Sequence, residues 1–304
     1  MWPVALPPKP LGDPAPVGSV EVRFPRQKSL LGSFLQVFSE LLFTSYFFFW
    51  PVGTVLWLAL SPWASGVCSW KALWSFSTLY TIQLFVYRPH LKKGWPYRWL
   101  LHGPLVDFIL SYHDATVIRE GPAPDPKGKY LFAMYPHGVY GVCRAFSGGI
   151  GCWQTLFPGR SCWGSFGAAF FLPGIREMSL FCGCLDASKP TLERAISRGE
   201  NLILLPGGID EMNLTDGESK DTQLVMTDRK GFVKLSIENG LDIVPGLRGR
   251  GLTLMGFLDP PLGFVWGQPI KVRQQKPVDE KYLDEVHQQV AESVSDIFKR
   301  YKVG

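Results

Sequence analysis

At 304 residues the chain is long enough for one large domain plus an anchoring segment, and 46% hydrophobic content is that of an ordinary folded protein. Its net charge of +5 comes without any long Lys/Arg block, which argues against a nucleic-acid partner and leaves a membrane surface or a polyanionic small molecule as the better match. The six cysteines hold no C-x-x-C pair with a supporting His, so they exclude a zinc site and read as reduced, mostly buried thiols.

In chain order, the first 20 residues are rich in Pro and Gly and read as a loose tail, followed by the basic residues Arg23, Arg26 and Lys28. From Leu41 to Tyr87 the one charged residue is Lys71. Leu41 to Leu60 is a charge-free run of 20 residues, enough for a membrane-crossing helix, with Pro51 and Gly53 placed to kink it. Ala72 to Tyr87 is a second apolar run of 16 residues, followed by Arg88, Lys92, Lys93 and Arg98. Positive charge outside both ends predicts a membrane hairpin over 41–88 with both ends cytosolic, either two short spans or one kinked segment that dips and returns. The divisions expected are a tail and basic pre-membrane segment at 1–40, the hairpin at 41–88, and a catalytic domain at 89–304. Trp95 to Ile118 reads as an amphipathic, membrane-proximal helical stretch.

Beyond residue 129, short apolar runs alternate with helical patterns. Tyr130–Met134 and Leu202–Leu205 read as strands, Asp242–Pro245 and Gly263–Val272 as two more. Helices are expected at Pro190–Arg198, with Ser188 as N-cap and Gly199 past its end, at Arg229–Asn239, with Asp228 as N-cap and Gly240 past its end, and at Glu280–Tyr301. Such alternation predicts an α/β fold with a mixed, mostly parallel sheet flanked by helices, its ligand site beyond the carboxyl ends of the strands.

Two segments sit just past such ends: Tyr135-Pro136-His137-Gly138 and Pro206-Gly207-Gly208-Ile209-Asp210-Glu211. Of the five histidines, His90, His102, His113 and His287 read as packed or solvated. His137, on a turn shaped by Pro136 and Gly138, is held yet open, and an imidazole can take a proton from a hydroxyl near neutral pH.

Tyr135–Gly138 resembles the [HY]-P-H-G block of the diacylglycerol acyltransferase type 2 family, which also holds monoacylglycerol and wax-alcohol acyltransferases. Pro173-Gly174-Ile175-Arg176-Glu177 with Gly183, Leu205–Glu211, Arg229–Lys234 through Gly240 to Val244-Pro245, and Gly267-Gln268-Pro269-Ile270 resemble four further blocks in the same order. The likeness runs from about residue 36 to the end of the chain. Tyr135 stands where the animal-type block has its first His, and Leu247–Arg250 replaces the usual F-G-E, departures that bear on acceptor choice. The position four after His137, which carries an Asp in other acyltransferases, is Val142, so another carboxylate must orient the imidazole.

The resemblance implies a glycerolipid acyltransferase-like fold and transfer of an acyl group from acyl-CoA to diacylglycerol, or to monoacylglycerol or a wax alcohol. It implies no cofactor beyond the acyl-CoA substrate, no metal and no nucleic acid, and it leaves a homo-oligomer open. It places the enzyme at the endoplasmic reticulum membrane or a lipid droplet. His137 would be the base, Glu211 (or Asp210) its orienting carboxylate, and the N–H groups at Gly138, Gly207 and Gly208 the oxyanion donors; a surface carboxylate and plain tight turns are the competing readings. Arg229 and Lys230, in the first turn of a helix, oppose its dipole unless an anion sits there, so they are candidates for the CoA phosphates, with Arg176 a weaker one; a solvated basic face is the alternative. Two other classes fit parts of the chain: a serine hydrolase built on the degenerate elbow at Ala145–Gly149 around Ser147, and a non-catalytic lipid-droplet hairpin protein.

Overall fold

A computed structural model describes residues 4–6, 16–39, 41–42, 70–97, 104–135, 153, 156–157, 159–172, 174–208, 229–248 and 263–301. Among these, nine strands form one sheet in the order β1-β2-β3-β9-β8-β4-β7-β5-β6. The strands are β1 Val4–Leu6, β2 Val20–Arg23, β3 Thr116–Arg119, β4 Tyr130–Tyr135, β5 Ser161–Ser165, β6 Cys184–Asp186, β7 Asn201–Leu204, β8 Asp242–Arg248 and β9 Gly263–Trp266. From β8 to β6 every neighbouring pair is parallel, while β8–β9, β3–β2 and β2–β1 are antiparallel. The mixed, mostly parallel sheet expected from the alternating pattern is therefore present.

The central strands form where side chains can be apolar on both faces. All six residues of β4 and all four of β7 are buried, which is why both read as continuous apolar runs. Tyr130, Phe132 and Met134 point to one face and Leu131, Ala133 and Tyr135 to the other. On the first face Phe132 meets Trp153, Phe157 and Trp266 edge-on at 4.9, 4.9 and 5.4 Å between ring centroids. Gly246 in β8 is required there, because a Cβ would run into the Trp266 ring. The second face is covered by three helices: α5 Lys189–Ser197, α6 Gly231–Asn239 and α7 Glu280–Tyr301. Helix α7 lays Leu283, Val286, Val290, Val294 and Ile297 on the sheet, the 3.6-residue spacing of its apolar face. Its last turn is locked by Arg300, whose guanidinium donates two hydrogen bonds, at 2.9 and 3.0 Å, to buried Glu120.

Helix α6 ends as its sequence foretells. Gly240 is left-handed (φ 65°, ψ 44°) and its N–H donates to the Ser236 carbonyl. Gly240→Ala should cost about 1–2 kcal/mol, because a Cβ both strains that backbone and sits 3.2 Å from Gln274 Cβ. A thermal unfolding midpoint that does not fall would contradict this.

Four expectations need correction. The N-terminal hydrophobic membrane hairpin does not hold: no helix of the described residues is long and apolar enough to cross a membrane. Most of its first arm lies outside the described residues. Its second arm is helix α2, Trp70–Phe85, whose 16 residues span about 24 Å against a hydrocarbon layer of about 30 Å. Its carboxyl end is tied to the sheet domain by polar bonds described below. The loose tail expected over the first 20 residues contains strand β1, Val4–Leu6, which pairs with β2, and β2 in turn joins the sheet edge at β3. Among the described residues of the stretch 95–118, helix α3 occupies Pro104–Tyr112, and Thr116–Ile118 belongs to β3. Strand β9 stops at Trp266 rather than Val272, because the Gly267 N–H turns to the Pro245 carbonyl (2.8 Å) and only Ile270 bridges back, to Ile243.

Candidate active site

The parallel strands place their carboxyl ends along one edge. At the middle of it, β4 and β7 are hydrogen-bonded neighbours, with Leu131 opposite Leu202 and Ala133 opposite Leu204. The connection after β4 crosses the Trp153/Phe157 face to reach β5, whereas the connection after β7 crosses the opposite face through α6 to reach β8. Two adjacent strands whose continuations part to opposite faces leave a crevice between them, and this is where open α/β sheets bind ligands. The segments that begin at that point are Pro136-His137-Gly138 and Leu205–Glu211.

His137, Gly138, Asp210 and Glu211 lie outside the described residues, as does Ser147. Gly207 and Gly208 are described and form a turn after β7. Gly208 has φ +56°, and its N–H donates to the Leu205 carbonyl at 3.2 Å. That N–H is committed to the turn, which leaves the Gly207 N–H as the better oxyanion donor of the two. No described residue stands within 4 Å of a Cβ built on Gly208.

Helix α6 begins at Gly231, with Lys230 as its N-cap residue and Arg229 before it. Both cations thus precede the helix instead of occupying its first turn. The Lys230 ammonium pairs with Asp284 of α7 at 2.6 Å, which already offsets its repulsion from the helix N-terminus. Arg229 is exposed.

Arg176 is a correction. Its side chain is 0% exposed, and its donors go to Glu177 Oε1 (2.8 Å) and to the carbonyls of Tyr87 (3.0 Å) and Gln83 (3.4 Å), with Trp95 stacked 5.4 Å from the guanidinium. A phosphate has no path to it. Glu177 Oε2 in turn accepts from the Gly174 N–H (2.9 Å) and the Tyr80 hydroxyl (3.0 Å), and burial together with the Glu177 charge pushes the Tyr80 hydroxyl pKa up. Helix α4, Ile175–Phe181, thereby grips the end of α2, satisfying carbonyls that a helix end leaves without partners.

The other described histidines are packed. His90 is buried and stacks on Phe170 at 4.5 Å, and burial pushes its imidazole below the ordinary histidine range against the pull of Asp186. His113 and His287 are buried as well. Cys162 and Cys184 are buried and Cys182 is half-buried, and burial raises the Cys162 pKa. No His/Cys/Asp/Glu cluster able to hold a metal occurs among the described residues.

Sequence reasoning missed a crevice of about 480 Å³ between the N-terminal ends of α5 and α6. Leu204, Ala187 and Phe232 line it, and Lys189 and Lys234 are the charged residues among its described lining. Leu204 is the last residue of β7, so the crevice adjoins the Pro206–Gly208 turn. Lys234 closes the quoted Arg229–Lys234 block and Lys189 lies between two blocks, and neither carried a signal of its own in the sequence.

The family model described as diacylglycerol acyltransferase matches residues 67–249, more than half of the chain. Diacylglycerol O-acyltransferase 2A of Umbelopsis ramanniana is 25% identical over 281 residues, covering 76% of this chain and 78% of the relative. Diacylglycerol O-acyltransferase 1 of Schizosaccharomyces pombe is 25% identical, covering 80% and 83%. Human 2-acylglycerol O-acyltransferase 3 is 26% identical over a shorter stretch, 59% of this chain and 54% of the relative. No solved structure gives a significant match. With the family's blocks emerging side by side at the switch point of a parallel sheet and its model spanning most of that sheet, the chain belongs to the diacylglycerol acyltransferase family.

Proposed function

We propose that this O-acyltransferase transfers a fatty acyl group from acyl-CoA to the free hydroxyl of diacylglycerol, giving triacylglycerol and CoA. The observation that supports the reading is the parallel pairing of β4 with β7, whose carboxyl ends lead in sequence to His137 and to Pro206–Glu211. His137 takes the hydroxyl proton as the oxygen attacks the thioester carbonyl. The N–H groups of Gly138 and Gly207 stabilise the oxyanion, the C–S bond breaks, and the imidazolium returns its proton to the CoA thiolate. Glu211 orients the imidazole and balances its charge. Monoacylglycerol is the second acceptor, favoured by the likeness to a 2-acylglycerol O-acyltransferase.

The same reading places the enzyme on the cytosolic face of the endoplasmic reticulum or on a lipid droplet, where its acceptor is dissolved. Residues 30–39 form helix α1, and it supports a surface position: Leu30, Leu31, Phe34 and Phe38 face outward while Gln36 and Ser39 are buried. Phe85, Val86, Tyr87, Phe171 and Leu172 form a second exposed apolar patch, with the Arg88 guanidinium 5.9 Å from the Phe171 ring.

Expression in a yeast strain without neutral-lipid synthesis tests the acceptor. Triacylglycerol should appear with the wild-type chain and be lost with His137→Ala. Wax esters without triacylglycerol would overturn the choice of diacylglycerol.

A further inference from the structure

We infer that the crevice between α5 and α6 takes the phosphate-bearing nucleotide end of the acyl donor, with Lys189 and Lys234 as its cationic contacts. This rests on the acyl-CoA reading above. Its volume of about 480 Å³ lies within the range of small-molecule sites. Leu192, Leu204 and Phe232 give an apolar wall suited to a purine ring, and among the described residues of the lining the charged ones, Lys189 and Lys234, are both cations. Two nine-residue helices begin at this crevice, so unbonded N–H groups and the positive ends of two dipoles converge there.

Three details favour an anion arriving from outside. Lys234 is exposed and has no ion-pair partner among the described residues. Lys189, half exposed, is held by the buried carboxylate of Glu238 further along α6, which stations its ammonium beside the crevice. Among the described residues, a Cβ on Gly231 would meet nothing within 4 Å, so the first residue of α6 leaves its backbone open to close approach from their side. From this position the pantetheine arm has only to pass the end of β7 at Leu204 to bring the thioester to the Pro206–Gly208 turn.

Phosphate on a lipid headgroup shares this chemistry, so the test separates the two sources. In membranes carrying the full chain, Lys234→Glu and Lys189→Glu should each raise the KM for palmitoyl-CoA about tenfold or more. Lys234→Arg should stay near wild type. Gly231→Leu, which has room to fold, should raise the same KM by filling the mouth. The KM for diacylglycerol should not move, and with S-palmitoyl pantetheine, which lacks the nucleotide, wild type and Lys234→Glu should transfer at equal rates. An unchanged palmitoyl-CoA KM in both Lys234→Glu and Gly231→Leu overturns the assignment. So does weakened binding to phosphatidic acid vesicles with undiminished affinity for free CoA. If the wild type transfers no acyl group the functional reading fails on its own, and loss of free CoA binding in Lys234→Glu would still uphold the crevice.

Discussion

Replacing Arg176 by leucine should destabilise the fold by about 3–5 kcal/mol, the cost of breaking a buried ion pair from one side. The guanidinium is fully buried between Glu177 and the carbonyls of Gln83 and Tyr87. Without it Glu177 loses its charge partner, and two carbonyls at the end of α2 lose their donors where water cannot replace them. Arg176→Lys should recover little, because a single ammonium cannot reproduce the planar fork that reaches three oxygens at once. The denaturation midpoint of the purified chain measures this. A midpoint equal to wild type, with a raised KM for acyl-CoA, would return Arg176 to the role of phosphate ligand.

The second large effect is chemical. His137→Ala should lower the rate of acyl transfer by about 10²–10⁴-fold, the usual contribution of a positioned proton acceptor. Glu211→Gln should lower it less, since the imidazole keeps its proton-accepting nitrogen and loses only orientation and charge balance. Both variants should unfold at the wild-type temperature. Rates are best compared at saturating palmitoyl-CoA, so that any change in donor binding drops out.

The middle of the fold could be read from the chain because burial on both faces leaves a plain imprint. Tyr130–Tyr135 and Asn201–Leu204 are apolar runs of strand length, and Ser188, Gly199 and Gly240 mark helix ends through backbone chemistry that depends on few distant contacts. The edges could not be read in the same way. Ser161–Ser165 is built from Ser, Cys, Trp and Gly, with little strand preference, and exists because β7 and β6 pair with it. Val20–Arg23 looks like tail until β3, nearly a hundred residues later, offers it a partner.

The membrane hairpin misled for a related reason. A charge-poor stretch records how apolar a segment is and says nothing of where its ends are tied. The tie lies in Arg176 and Glu177, 89 to 97 residues beyond the groups of α2 and its exit that they hold. The same long-range bonds explain why Arg176 read as a ligand for phosphate: an arginine can bind an outside anion or hold buried groups together, and only its surroundings tell the two apart. At the candidate site, the Pro206–Gly208 turn follows β7 as expected, and the ends of β4 and β7 were legible in the sequence. The lysines of the neighbouring crevice were not, because Lys189 and Lys234 sit 45 residues apart and meet only once α5 and α6 share a face of the sheet.

One measurement bears most directly on whether His137, two residues past the end of β4, drives transfer from acyl-CoA to a lipid hydroxyl. Membranes carrying either the wild-type chain or His137→Ala, expressed to the same level, are given radiolabelled palmitoyl-CoA with diacylglycerol. Label should enter triacylglycerol with the wild type and stay at background with the variant, whose thermal unfolding is unaltered. Triacylglycerol made at the wild-type rate by His137→Ala would show that the proton is taken elsewhere.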